Sequence, residues 1–113
     1  LGGDQHMPAT AVVTITIPAD LTREQYLAGV KAIAPKFQGV PGLVRKNFIF
    51  SRASSTAGGV YTWESKEAGE RFHATGGPWH QSLVDRFGVA PSIQWFDTDV
   101  IVDNSTGRID FAA

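Results

Sequence analysis

A strand signal, a helix signal, two strand signals, a helix signal and a last strand signal follow one another along 113 residues. That order leaves few topologies open, because consecutive elements lie side by side and crossovers between parallel strands are right-handed. The first extended segment, Ala11–Ile17, is rich in β-branched residues and alternates in its C-terminal half, which suits a half-buried strand. Pro18 ends it. The helix that follows has a clear start: Thr22 and Gln25 have capping-box spacing, and Leu21 can staple onto Tyr26. Tyr26, Val30, Ile33 and Phe37 recur at helical spacing, and Pro35 should tighten the last turn.

Leu43–Phe50 reads as a strand that carries Arg45, Lys46 and Asn47 between apolar neighbours, and Val60–Trp63 as a short aromatic strand after Gly58-Gly59. A second helix is predicted over Lys66–Ala74 and breaks at Gly76-Gly77-Pro78. It resumes from Pro78, with His80, Leu83, Val84 and Phe87 on one face and Gly88 as its cap. Ile93–Val102 reads as one long strand with a bulge at Trp95-Phe96, and the residues from about 104 as an irregular tail. The result is an α+β, ferredoxin-like βαββαβ domain, a four-stranded antiparallel sheet with its helices on one face. One such domain accounts for residues 7–113. Leu1–His6 reads as the remnant of a cloning site ahead of a natural start at Met7.

With both helices on one face, the opposite face of the sheet should be polar. Instead Val12/Val13, Leu43/Val44, Phe48/Ile49 and Trp95/Phe96 place apolar groups on both faces. A sheet of that kind needs a second cover. The chain has no spare helix, so the cover is a second copy and the expected partner is itself, as a homodimer.

Ten basic and eleven acidic residues are spread without blocks, which excludes the basic face a nucleic-acid binder uses. The longest apolar runs are four or five residues, too short to span a membrane. Without cysteine there is no disulfide framework, thiolate metal site or cysteine nucleophile. No secretory signal is visible, and a cytoplasmic location is expected. The Gly-Gly pairs do not extend to a phosphate loop, no serine has a nucleophile-elbow context, and the acids form no pair.

Several motifs in this order resemble the YdhR-like monooxygenases of the dimeric α+β barrel superfamily. They are Pro41-Gly42-Leu43, Lys46, Ala57-Gly-Gly-Val-Tyr61, Gly88-Val89 and Phe96-Asp97. Trp63-Glu-Ser-Lys-Glu67, Phe72-His73 and Pro78-Trp79-His80 are more similar to the wider antibiotic-biosynthesis monooxygenase group, whose second helix also breaks at a small-residue turn. The resemblance implies a dimeric α+β barrel. It also implies a cofactor-independent monooxygenase that oxidises a small aromatic or polyketide-like phenol or quinol with dioxygen. Two other readings stay open within the fold: a non-catalytic binding protein for a hydrophobic metabolite or haem, and a polyketide cyclase.

The candidate residues follow from that pocket. Arg45 and Asn47 share a side with Leu43 and Ile49 if the strand alternates regularly. If that side faces the helices, the Asn47 amide hydrogen-bonds a phenol or enolate oxygen and the Arg45 guanidinium favours the anion. Otherwise Asn47 satisfies a backbone group and Arg45 pairs with an acid across the dimer. Tyr61 and Trp63 share a face and either stack on a flat substrate or fill the core. Phe72 and Trp79 complete the pocket wall. His80 is the expected general base, with His73 in reserve, and the competing role for each is a surface or capping residue. Seven residues and a proline separate the two histidines, far from the spacing of a helical zinc site. Haem ligation is open to either, but Phe72 stands where the haem-degrading proteins of this superfamily carry tryptophan. The expectation is no cofactor and no metal.

Overall fold

The computed structural model describes residues 7–112; Leu1–His6, read above as a cloning remnant, lie outside them. Alternation decides which side of β1 (Ala9–Thr16) is interior: Ala9, Ala11, Val13 and Ile15 are all buried. β1 pairs antiparallel with β3 (Thr56–Trp63) on one side and β4 (Ser92–Asp97) on the other. β2 (Leu43–Ser51) adds to the far edge of β3, giving the antiparallel order β2-β3-β1-β4. The helices α1 (Arg23–Ile33), α2 (Lys66–Phe72) and α3 (Pro78–Phe87) all pack on the face that carries Ala11, Val13, Tyr61 and Trp63. This is the expected ferredoxin-like α+β architecture.

Local chemistry places the helices. Thr22 Oγ1 accepts from the Gln25 N–H at 3.0 Å while Gln25 Oε1 accepts from the Thr22 N–H at 2.9 Å, so the capping box at the start of α1 is complete. Pro35 converts the end of α1 into a 3-10 turn, Ala34–Phe37, which brings Phe37 down onto the sheet. Ser65 caps α2, which ends at Phe72, two residues short of the predicted Ala74. Gly88, at φ 75°, closes α3.

Three expectations change. Ile93–Val102 is not one strand: the chain leaves the sheet at Thr98, whose N–H donates to the Pro8 carbonyl at 2.9 Å. The segment after it, β5 (Val100–Asp103), pairs with β6 (Arg108–Phe111) in a separate two-stranded ribbon. The tail is therefore a hairpin, not irregular chain. Nor does Trp95-Phe96 bulge, since the β1–β4 register runs unbroken from Ala9↔Asp97 to Thr14↔Ser92. Trp95 faces the helices and Phe96 the open side of the sheet, so the apparent slip is ordinary alternation of two apolar residues. The irregularity lies in β2, where the register shifts between Leu43 and Arg45. The open face of the sheet is mixed, with Val12, Ile49, Val60 and Phe96 among Thr10, Thr14, Thr62 and Gln94.

Candidate active site

One extra residue at the start of β2 decides which side chains reach the interior. The register shift at Val44 inverts the alternation that follows, so Leu43 is succeeded on the helix side by Lys46, Phe48 and Phe50. Lys46 stands opposite Tyr61 and Asn47 opposite Val60, and such cross-strand partners share a face. Arg45 and Asn47 are thus exposed, with Asn47 on the open face of the sheet. Their expected place in the pocket belongs to Lys46.

That pocket lies between the sheet and helices α1 and α3 and encloses about 100 Å³, the scale of a void that takes one benzene-sized ring. Among the described residues its walls are apolar except for Lys46, Ser82, Arg86 and the hydroxyls of Tyr26 and Tyr61, and no carboxylate lines it. A more open groove runs along the edge of β2 beside the 3-10 turn; Arg45 lines it, and Phe37, Lys46 and Phe48 line both spaces.

Lys46 Nζ sits 3.4 Å from the centre of the Phe37 ring, 3.8 Å from that of Phe48 and 4.6 Å from that of Tyr61. Gly59 makes room for this box, since a Cβ there would stand 3.0 Å from both Lys46 Cε and Tyr61 Cε1. Burial pushes the Lys46 ammonium down to about 7, and the ring faces return part of that by attracting the cation. Among the described residues the only ion pair is Arg108–Asp110, so no carboxylate holds Lys46 charged. Burial raises the Tyr61 hydroxyl well above its ordinary value and keeps it neutral.

Behind Tyr61 and Trp79 lies His73, a buried residue at 4% exposure. The Trp63 indole N–H donates to His73 Nε2 at 3.2 Å, which assigns the ring proton to Nδ1; that atom has no partner among the described residues. Burial first, and the Lys46 charge second, push its pKa down to about 4, so the ring is neutral at pH 7. The edges of Tyr61 and Trp79 meet it at 4.5 and 4.4 Å between ring centres. Enclosed in this way, with Nε2 taken, His73 does not fit haem ligation; it holds the two aromatic walls in place.

The other candidates divide by position. Tyr61 and Trp79 line the cavity; Trp63 and Phe72 pack behind them in the core cluster. His80 does not line it. Helix α3 turns Trp79, Leu83, Arg86 and Phe87 toward the cavity, and His80 Nδ1 instead accepts the Gly76 N–H at 3.2 Å, closing the Gly-Gly-Pro turn. Lys46 is the residue that regular alternation missed. Its spacing of two from Phe48 and four from Phe50 was the available signal.

A family model described as "Putative mono-oxygenase ydhR" matches residues 12–105. Among solved structures, the fold is shared with a monooxygenase from the gene ActVA-Orf6 of Streptomyces coelicolor, in complex with Nanaomycin D. It is 16% identical, with 82% of this chain and 88% of that one covered and a TM-score of 0.61. The protein of unknown function NE2512 from Nitrosomonas europaea is 15% identical over 83% and 91% of the two chains, with a TM-score of 0.60. A heme-degrading protein from Mycobacterium tuberculosis, free of heme, is 19% identical over 87% and 98%, with a TM-score of 0.57. Identities this low speak to the fold alone. No curated protein matches the chain.

Proposed function

The chain belongs to the ydhR mono-oxygenase family, and from that membership we propose that it oxidises a small phenol or quinol with dioxygen, using no cofactor. The observation that carries this reading is an amine, Lys46, set among aromatic faces in a cavity with no carboxylate among the described residues. A neutral amine with a pKa near 7 is matched to taking a phenolic proton at physiological pH. The ammonium so formed stays beside the phenolate and offsets its charge in a dry site. The electron-rich ring passes an electron to dioxygen, and the two radicals join in a carbon–oxygen bond. When the O–O bond breaks, that ring carbon loses its hydrogen, one oxygen remains as a quinone carbonyl and the other leaves as water. The substrate supplies all the electrons. Tyr61 and Trp79 are the walls that hold the ring flat, and His73, Trp63 and Phe72 support them from behind.

Incubation with single-ring phenols and quinols under 18O-labelled dioxygen tests this by mass spectrometry. The expected product gains one labelled oxygen and loses two hydrogens, and a chelator leaves the rate unchanged. Loss of water from a polyketide-like chain would identify a cyclase instead, and bound but unaltered ligand a binding protein. His80→Ala is expected to leave turnover within about twofold, because a turn-closing residue takes no part in proton transfer. Its cost is about 1 kcal/mol, that of one lost hydrogen bond, read as a small drop in melting temperature.

The acting species in this reading is a homodimer. Val100 and Phe111 face one another across the β5–β6 ribbon, as do Val102 and Ile109, so all four share a face, and all four are exposed. An apolar ribbon face and a half-apolar open sheet are surfaces a second copy can cover. Light scattering is expected to give about twice the 12.2 kDa chain mass. The double variant Val102→Asp, Phe111→Asp should give the single-chain mass, and a wild-type monomer at micromolar concentration would refute the dimer.

A further inference from the structure

We propose that Lys46 is also a nucleophile, and that its amine condenses with an aromatic aldehyde seated in the cavity to form an imine. This activity goes beyond oxygen chemistry and requires no step of it. Three features of the site bear on it. Lys46 lines both the cavity and the edge groove of β2, so its side chain borders two spaces in which an aldehyde can be seated. The rings of Phe37, Phe48 and Tyr61 that surround Nζ also line the cavity, so an aryl group seated there packs among apolar side chains beside the amine. Among the described residues no carboxylate holds the group as an ammonium, and apolar walls limit the water that would hydrolyse the product.

The titratable and charged groups that line the cavity with Lys46 are Tyr61 on β3, Tyr26 on α1 and the Arg86 guanidinium on α3, with the neutral ring of His73 behind Tyr61. None is an anion at pH 7. Burial supplies the free amine there. Relative to an ordinary lysine, the neutral fraction rises by about three orders of magnitude, and the accompanying fall in intrinsic nucleophilicity offsets only part of that.

The reaction conserves atoms and electrons. The nitrogen lone pair forms a bond to the carbonyl carbon, and the carbonyl oxygen takes a proton to give a carbinolamine. The nitrogen, which supplied that proton, gives up its one remaining hydrogen as the C–O bond breaks, and the oxygen leaves as water while C=N remains. Nothing is oxidised or reduced until a reductant is added to trap the product.

The test uses the whole chain, benzaldehyde and cyanoborohydride at pH 7, followed by intact mass and peptide mapping. Among the four lysines one benzyl group is expected, on Lys46, with Lys31, Lys36 and Lys66, which are exposed, labelled at least about tenfold more slowly, and peptide mapping separates any label on the α-amine. Excess toluene, which has the ring but no carbonyl, should protect Lys46 and leave the other lysines unchanged. Lys46→Arg should keep a cation in the ring box and take no label. Should that variant fail to fold, toluene protection of the wild type decides alone. Even labelling of all four lysines, or labelling that toluene does not slow, would overturn the proposal. An adduct on Lys46 in a protein that turns over no phenol would sink the oxygenase reading and leave this one standing.

Discussion

Lys46→Met is expected to remove turnover and, at pH 6, to make the protein more stable. The loss should be at least about a hundredfold, the lower end for deleting a general base. The gain in stability follows from the sign of the pKa shift. Lys46 titrates near 7 in the folded chain and near 10.4 in the unfolded one, so between those values the unfolded state binds more protons and stability rises with pH. Below pH 7 the full cost of an unpaired, mostly buried ammonium is present. Methionine has a similar length, carries no charge and keeps favourable sulfur contacts with Phe37, Phe48 and Tyr61. Solvent access and ring attraction reduce the gain to on the order of 2 kcal/mol, or about 5–10 °C in melting temperature. The gap should narrow from pH 6 to pH 9. A methionine variant that melts lower at both values would show that the ring faces favour the cation more than burial disfavours it.

Gly58→Ala should abolish the fold or cost at least about 3 kcal/mol, the upper range for overpacking a core. Gly58 pairs with Thr14 in the central β1–β3 ladder, and a Cβ at Gly58 would overlap the carbonyl oxygen of Val13. Backbone at the centre of a sheet has nowhere to move. The neighbouring Gly59 meets mainly side chains, Lys46 and Tyr61, which can shift by a few tenths of an ångström. The two adjacent glycines therefore have different tasks, one for the sheet and one for the site. Denaturant midpoints measure the first, and an unchanged midpoint for the alanine variant would contradict it.

What the sequence revealed depended on how local each determinant was. The Thr22–Gln25 capping box, the Pro35 turn and the Gly88 cap each involve a few consecutive residues, and each is where its residue types place it. The facing of β2 depends on how Leu43 and Arg45 pair with β3, a long-range choice that no nearby residue announces. One extra residue sent Asn47 outward and Lys46 inward. His80 sits at the margin of the α3 stripe, where a rotation of one residue exchanges it for Trp79. The free Gly76 N–H, an obligatory donor, decides that exchange. For the tail, Val100-Ile-Val102 and Ile109 flank Asn104-Ser-Thr-Gly107, which is a hairpin pattern. It was obscured because the same valines extend the apolar run of the preceding strand.

The ring of His73 gives this protein a built-in optical property. All three tryptophans of the chain gather around it, with ring centres of Trp79, Trp63 and Trp95 at 4.4, 5.4 and 5.8 Å. Indole emission from the whole molecule therefore originates in one small volume, and one wall of that volume, Trp79, is also a wall of the cavity. An unlabelled sample reports cavity occupancy through its own fluorescence, with no distant tryptophan to dilute the change. Unfolding that begins elsewhere, such as opening of the β5–β6 ribbon, leaves that signal untouched.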